Sequence, residues 1–132
     1  MSEIAKGMEF REAHYPGRAP IDAYGNGGFR FADMSHRGAV QFLPSGIYGW
    51  NVEDGQKALS VSSFERVLEE AEGIEVLLIG TGTDLIPIPA ALREALREKS
   101  IRADSMSTGA AVRTFNVLLG ENRAVAAALL PV

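Results

Sequence analysis

The sequence predicts a three-layer α/β domain around a mixed central sheet, whose parallel portion is formed by strand-helix-strand units and whose antiparallel portion is an N-terminal meander. Three observations lead there. From residue 62 onward the pattern alternates as helix, strand, helix, strand, helix, strand, which right-handed crossovers turn into a parallel sheet flanked by helices. Two of the strand-like runs, Val76-Leu77-Leu78-Ile79 and Ala124-Val125-Ala126-Ala127-Ala128-Leu129-Leu130, are continuously apolar, as strands covered on both faces are. The front half is punctuated by glycine and proline, and its short alternating runs suit antiparallel strands.

A chain of 132 residues, 46% hydrophobic and 23% charged, buries one core without disulfides or a metal. The reading divides it into an irregular N-terminal segment, 1–19, and a single α/β domain, 20–132. Residues 1–13 are charged and broken by Gly7, unlike a secretory signal, and Glu3, Glu9 and Glu12 interrupt any transit-peptide pattern. The apolar run at 124–130 is far short of the ~20 residues of a membrane helix. A cytoplasmic protein is expected. A net charge of -4 without clustered Lys and Arg argues against nucleic acid as a partner. The lack of cysteine removes thiol nucleophiles, disulfides, iron–sulfur clusters and thiolate zinc sites.

Residues 15–28 hold Pro16, Gly17, Pro20, Gly25, Gly27 and Gly28, and read as an irregular lead-in. Phe29-Arg30-Phe31-Ala32, Ala39-Val40-Gln41-Phe42-Leu43 and Ile47-Tyr48-Gly49-Trp50-Asn51-Val52 read as strands of the meander, extending the sheet or folding over one edge. Ser62-Ser63-Phe64-Glu65 has the capping-box spacing, in which serine and glutamate satisfy each other's orphan amides. Phe64, Val67, Leu68 and Ala71 then form one apolar helical face, and Gly73 is expected to end the helix in a left-handed turn.

A second helix is expected over 89–99, with Leu92, Ala95 and Leu96 on one face and Pro89 in its first turn, where a missing amide hydrogen costs nothing. Ile101-Arg102-Ala103 is a short strand candidate. Ser107 or Thr108 caps a third helix closed by Gly120. The apolar run at 124–130 is helical by propensity, but its lack of a polar face and its stop at Pro131 favour a buried strand.

Ligands of such sheets sit beyond the carboxyl ends of the strands. That rule gathers 80–84, 104–108 and the C-terminal Pro131-Val132 at one rim. Ile79-Gly80-Thr81-Gly82-Thr83-Asp84 resembles a phosphate cradle after a strand, yet the third glycine of a dinucleotide fingerprint is Leu85 and no Gly-Lys-Ser or Gly-Lys-Thr follows. Gly80 and Gly82 are read instead as a tight turn at the sheet edge. The Leu85-Ile86-Pro87-Ile88-Pro89 stretch is a stiff apolar arm, since each proline forces its predecessor to be extended. Buried, the arm plugs the core; exposed, Leu85, Ile86, Pro87 and Ile88 form a docking ridge for a partner.

The remaining polar groups are weaker signals. His14 and His36 lack metal-ligand spacing, and Ser45-Gly46 lacks the nucleophile-elbow pattern. Asp84 and Asp104 come within reach of each other at the rim on this reading, but a catalytic carboxylate pair is the weaker account of them, since turns and caps employ Asp more often than acid–base catalysis does. Arg113 and Asn116, three apart on the third helix, share a face, and Thr108 lies near its anion-favouring N-terminus. Gly80, Gly82, Asp84, Asp104, Thr108, Arg113 and Asn116 thus make a candidate small-ligand or anion site, set against an exposed arginine and a helix-borne asparagine with structural roles.

Ile21-Asp22-Ala23-Tyr24-Gly25-Asn26-Gly27-Gly28-Phe29-Arg30, the Gly80-Thr81-Gly82 turn, Met106-Ser107-Thr108-Gly109-Ala110-Ala111-Val112-Arg113-Thr114-Phe115-Asn116 and Glu121-Asn122-Arg123-Ala124-Val125-Ala126-Ala127-Ala128-Leu129 occur in that order. Together they resemble a small α/β domain family of unassigned function that includes the mitochondrial respiratory complex I assembly factor 3. The resemblance implies a three-layer fold, no established catalytic activity, and, in eukaryotic members, binding to other assembly proteins at the inner membrane. This chain departs from the family pattern at Asp104, usually Glu, and at Asn122, often Gly. The missing transit pattern suits a bacterial member. The functional expectation is a non-enzymatic protein-binding or assembly factor for respiratory-complex or membrane-protein subunits, without cofactor or metal. The alternatives are the small-ligand site at the rim and a homo-oligomer.

Overall fold

A computed structural model describes residues 13–53 and 55–132. The expectations for signal and transit segments fall largely on residues 1–12, outside the described residues. Six strands form the main sheet: β1 (Ala13–Tyr15), β5 (Val40–Leu43), β6 (Gly46–Gly49), β7 (Val76–Gly80), β8 (Arg102–Met106) and β9 (Val125–Leu129), in the order β1-β6-β5-β9-β7-β8. β7 pairs in parallel with β8 and β9, while β5 is antiparallel to β9 and β6, and β6 to β1. The mixed α/β architecture is therefore the expected one.

The helices are α1 (Glu65–Glu69), α2 (Ala90–Glu98) and α3 (Thr108–Gly120). α2 joins β7 to β8, α3 returns from β8 past β7 to β9, and the reversal of direction puts the two helices on opposite faces. Leu92 and Leu96 of α2 join Ile88, Phe64, Trp50, Leu77 and Ile79 in one core layer. Ala111, Val112 and Phe115 of α3 join Leu78, Val76, Phe42, Phe29 and Phe31 in the other. Every residue of β7 and β9 is buried, which fits their unbroken apolar character and bears out the strand reading of 124–130. Edge-to-face rings lock both layers: Trp50 on Phe64 at 5.2 Å, and Phe31 on Phe42 at 5.3 Å.

A second, three-stranded antiparallel sheet covers the α3 side: β2 (Ala23–Gly25), β3 (Gly28–Phe31) and β4 (Met34–Arg37). The front strands thus do both things expected of them, β5 and β6 extending the sheet and β3 folding over it. The lead-in is less irregular than its glycines suggest, since it contains β2, and Tyr15 closes β1. The missed signal is Asn26-Gly27, both at positive φ (52° and 79°), a two-residue hairpin turn of the kind that matches strand twist. Ala32 and Asp33 (φ 49° and 62°) make a second such turn, from residues that favour it far less.

Three helix boundaries also differ from expectation. Ser60, not Ser62, is the cap: its hydroxyl accepts the Ser63 amide at 3.2 Å and starts a 3-10 turn over Val61–Phe64, leaving α1 only five residues. Gly73 is not left-handed; it closes a 3-10 turn against Pro44, whose Cγ would lie 3.1 Å from an added Cβ. α3 includes Gly120, and the left-handed residue after it is Asn122 (φ 61°).

Candidate functional site

The rim at the carboxyl ends of β7, β8 and β9 is tied together by two threonines. Thr108, wholly buried at the first turn of α3, donates its hydroxyl to the Leu130 carbonyl at 2.7 Å and accepts the Gly82 amide at 2.9 Å. Its own amide reaches the Gly82 carbonyl at 2.8 Å. Thr81 donates its amide to the Met106 carbonyl at 2.9 Å; its hydroxyl reaches the Asp84 carbonyl at 2.6 Å and accepts the Ile86 amide at 3.0 Å. The Leu130 amide meets the Gly80 carbonyl at 2.8 Å. Gly80 is required by this crowding, since a Cβ there would sit 3.0 Å from the Thr108 Cα and 2.9 Å from Leu129 Cδ2.

The switch point where α2 and α3 leave the sheet in opposite directions is therefore stitched shut. In a phosphate cradle the amides after the first strand point outward at the anion. Here the Thr81 and Gly82 amides are both consumed by protein oxygens, and Gly82 (φ 96°) serves the turn.

Of the residues singled out in the sequence, Gly80, Gly82 and Thr108 meet in this stitched junction, and Asp84 lies exposed in the loop beyond it. Asp104 is elsewhere. The strand expected at Ile101-Arg102-Ala103 extends instead to Met106, because ladder pairing with β7 outweighs the weak strand propensity of Asp and Ser; Asp104 sits mid-strand beside Leu78, on the edge of the sheet. Asn116 is also committed: its side-chain amide donates to the Ile21 carbonyl at 2.9 Å and accepts the Ile21 amide at 2.8 Å, pinning the lead-in to α3. Arg113 is exposed and makes no hydrogen bond or ion pair among the described residues.

The apolar arm divides between its two readings. Ile88 is buried among Leu92, Leu96 and Ile79 and is part of the core, with Ile86 packed partly against the same layer. Pro87 is exposed, and Leu85 is 59% exposed. The alternation follows from extended backbone, which turns successive side chains to opposite sides.

Sequence reasoning missed Tyr24 and Gly109 as rim residues. The β2–β3 hairpin carries Tyr24 over the start of α3, where an added Cβ on Gly109 would lie 2.5 Å from the tyrosine hydroxyl. The Gly27 amide holds the Val132 carbonyl at 2.8 Å, bringing the chain's last residue to the same place. Tyr24, Gly82, Ser107, Gly109, Arg113 and Val132 together line a shallow groove of about 280 Å³. The Asn26-Gly27 turn was the signal that would have revealed it. Among the described residues no group of His, Cys, Asp and Glu is placed to hold a metal, and no helix is long and apolar enough to cross a membrane.

A mixed sheet between two unlike layers, with its switch point closed by threonine hydroxyls, defines a three-layer α/β domain without an open nucleotide crevice. The chain belongs to the family described as protein of unknown function DUF498/DUF598, which it matches over residues 21–130. An uncharacterised protein of Rhodobacter capsulatus is 40% identical over 94% of each chain. The human NADH dehydrogenase [ubiquinone] 1 alpha subcomplex assembly factor 3 is 31% identical over 84% of this chain and 60% of its own length, so the chain spans about three fifths of that relative. The crystal structure of a Bartonella henselae protein, described as an outer membrane protein, is 62% identical, with a TM-score of 0.82 over 89% of this chain and 98% of its own. The family thus includes respiratory-complex assembly factors alongside bacterial proteins without an assigned role.

Proposed function

We propose that this protein is a non-enzymatic assembly factor that binds a protein partner, a respiratory-complex or membrane-protein subunit, through the rim of the sheet. One observation carries the reading: of the five exposed large hydrophobics among the described residues, Tyr24 (40%), Leu85 (59%) and Val132 (37%) lie on the rim loops and the hairpin and tail that meet them. Exposed apolar side chains gathered at one end, on backbone held rigid by the Thr81 and Thr108 hydrogen bonds, suit a docking surface that loses little entropy on binding. The family's assembly factors supply the class of partner. The test is affinity capture after crosslinking in the native cell, with wild type and Leu85→Asp. Respiratory or membrane-protein subunits recovered with wild type and lost with the variant support the reading, whereas recovery of none, or equal recovery with both, overturns it.

A second reading, a small-anion site in the rim groove, is favoured by Arg113, whose guanidinium has no partner among the described residues. Phosphate titrated into labelled protein would shift the Gly109 amide resonance on that reading and leave it unmoved otherwise.

A further inference from the structure

The small sheet has two faces, and among the described residues only one packs against the core. Tyr24, Phe29 and His36 share a register row, as do Phe31 and Met34, and this face covers the α3 layer. The opposite face is a grid of two rows, Ala23-Arg30-Ser35 and Gly25-Gly28-Arg37. Its small residues leave a trough of about 410 Å³ walled by the two arginines. No acidic residue among the described ones lines it, although the chain has 17 Asp and Glu against 13 Lys and Arg. Arg30 has no ion pair or hydrogen bond from its side chain among the described residues, and Arg37 has only a 3.5 Å bond to the Asn26 carbonyl. Asp22 and Asp33 fall at the far end of the sheet, outside the lining.

We propose that this outward face docks an extended acidic segment of a partner protein, with carboxylates at positions i and i+2 held by Arg30 and Arg37. The register sets the spacing. Arg30 is opposite Ser35, two residues before Arg37, so the arginines are diagonal neighbours with roots ~7–8 Å apart. Side chains at i and i+2 of an extended peptide are ~6.8 Å apart on one side, which matches. The planar guanidinium fork favours carboxylates, and the bare backbone at Gly25, where an added Cβ would meet nothing within 4 Å, admits the main chain of the segment. Two cations are too few for a polyanion, since nucleic-acid binding of useful strength draws on ~6–10 phosphate contacts. A short acidic peptide is the fitting occupant. The trough borders the rim groove at Tyr24, but Arg30 and Arg37 stand in register rows on the other face of the small sheet from that tyrosine, and the inference stands or falls without the assembly-factor reading.

The test is a titration of the full ¹⁵N-labelled chain at low salt with an acetylated, amidated Gly-Glu-Ala-Glu-Gly peptide. The inference expects saturable amide shifts at Gly25, Gly28, Arg30, Ser35 and Arg37. It expects at least fivefold weaker binding for Arg30→Gln or Arg37→Gln, and none for Ser35→Glu, which places a carboxylate in the trough. Equal shifts with the Gln-for-Glu peptide overturn it, as does absence of any shift. So does stronger binding, at equal charge, of a DNA duplex or phosphatidylserine vesicles to the same residues, which would mark a general anion surface.

Discussion

The hydroxyl of Thr108 donates to the carbonyl of Leu130 at 2.7 Å while receiving the amide of Gly82 at 2.9 Å, so one buried side chain joins the start of α3 to the ends of β7 and β9. Thr108→Val keeps the shape and strands both partners. A buried polar group left unsatisfied costs about 1–3 kcal/mol, so urea denaturation is expected to show a loss of about 2–4 kcal/mol. Thr108→Ser, which retains the hydroxyl, is expected to restore most of it.

Gly80 and Gly82 flank the same junction for different reasons. Gly80→Ala drives a methyl against the Thr108 Cα and Leu129, and overpacking of this kind costs about 1–3 kcal/mol. At Gly82 an added Cβ meets nothing within 4 Å, but the φ of 96° is poorly suited to a side chain. Gly82→Ala is therefore expected to cost about 1–2 kcal/mol by left-handed backbone strain alone. Combining Gly80→Ala with Leu129→Val, which takes away the Cδ2 that would lie 2.9 Å from the new methyl, separates the two causes: crowding at Gly80 is eased, and strain at Gly82 is not.

Asn116→Leu removes both bonds to Ile21. Hydrogen exchange is expected to show early loss of protection at Ile21 and the β2–β3 hairpin, while β7 and β9 keep theirs. An unchanged Ile21 amide would show that the lead-in is held by packing instead.

Most of the fold was legible in the sequence, because periodicity and unbroken apolar runs report burial directly. Val76-Leu77-Leu78-Ile79 and the alanine-rich β9 could only be central strands once helices were found on either side. What was hidden lay in pairing and turns. β8 takes in Asp104 and Ser105 against their propensity because β7 supplies the ladder, and β4, Met34-Ser35-His36-Arg37, has no pattern of its own beyond what β3 imposes. The candidate site was legible only as a place. Asn116 and Asp104 have side chains suited to ligands, and only the folded chain shows that one grips Ile21 and the other sits below the rim.

The Ala32-Asp33 turn holds two non-glycine residues in the left-handed region. Replacing the pair by Asn-Gly, as stands at Asn26-Gly27, is expected to raise stability by about 1–2 kcal/mol, read as a higher urea midpoint at unchanged slope.

The two halves of the apolar arm are expected to separate cleanly. Ile88→Ala empties a buried site and costs about 2–5 kcal/mol. Leu85→Asp, on an exposed side chain, changes stability by no more than about 0.5 kcal/mol.

The most direct measurement of the docking claim is site-specific photocrosslinking in living cells, with a benzophenone side chain at position 85, at 24, and at exposed Arg93 on α2 as control. The account predicts a discrete protein adduct from positions 85 and 24 and none from 93. No adduct at the two rim positions, or the same adducts from all three, would contradict it.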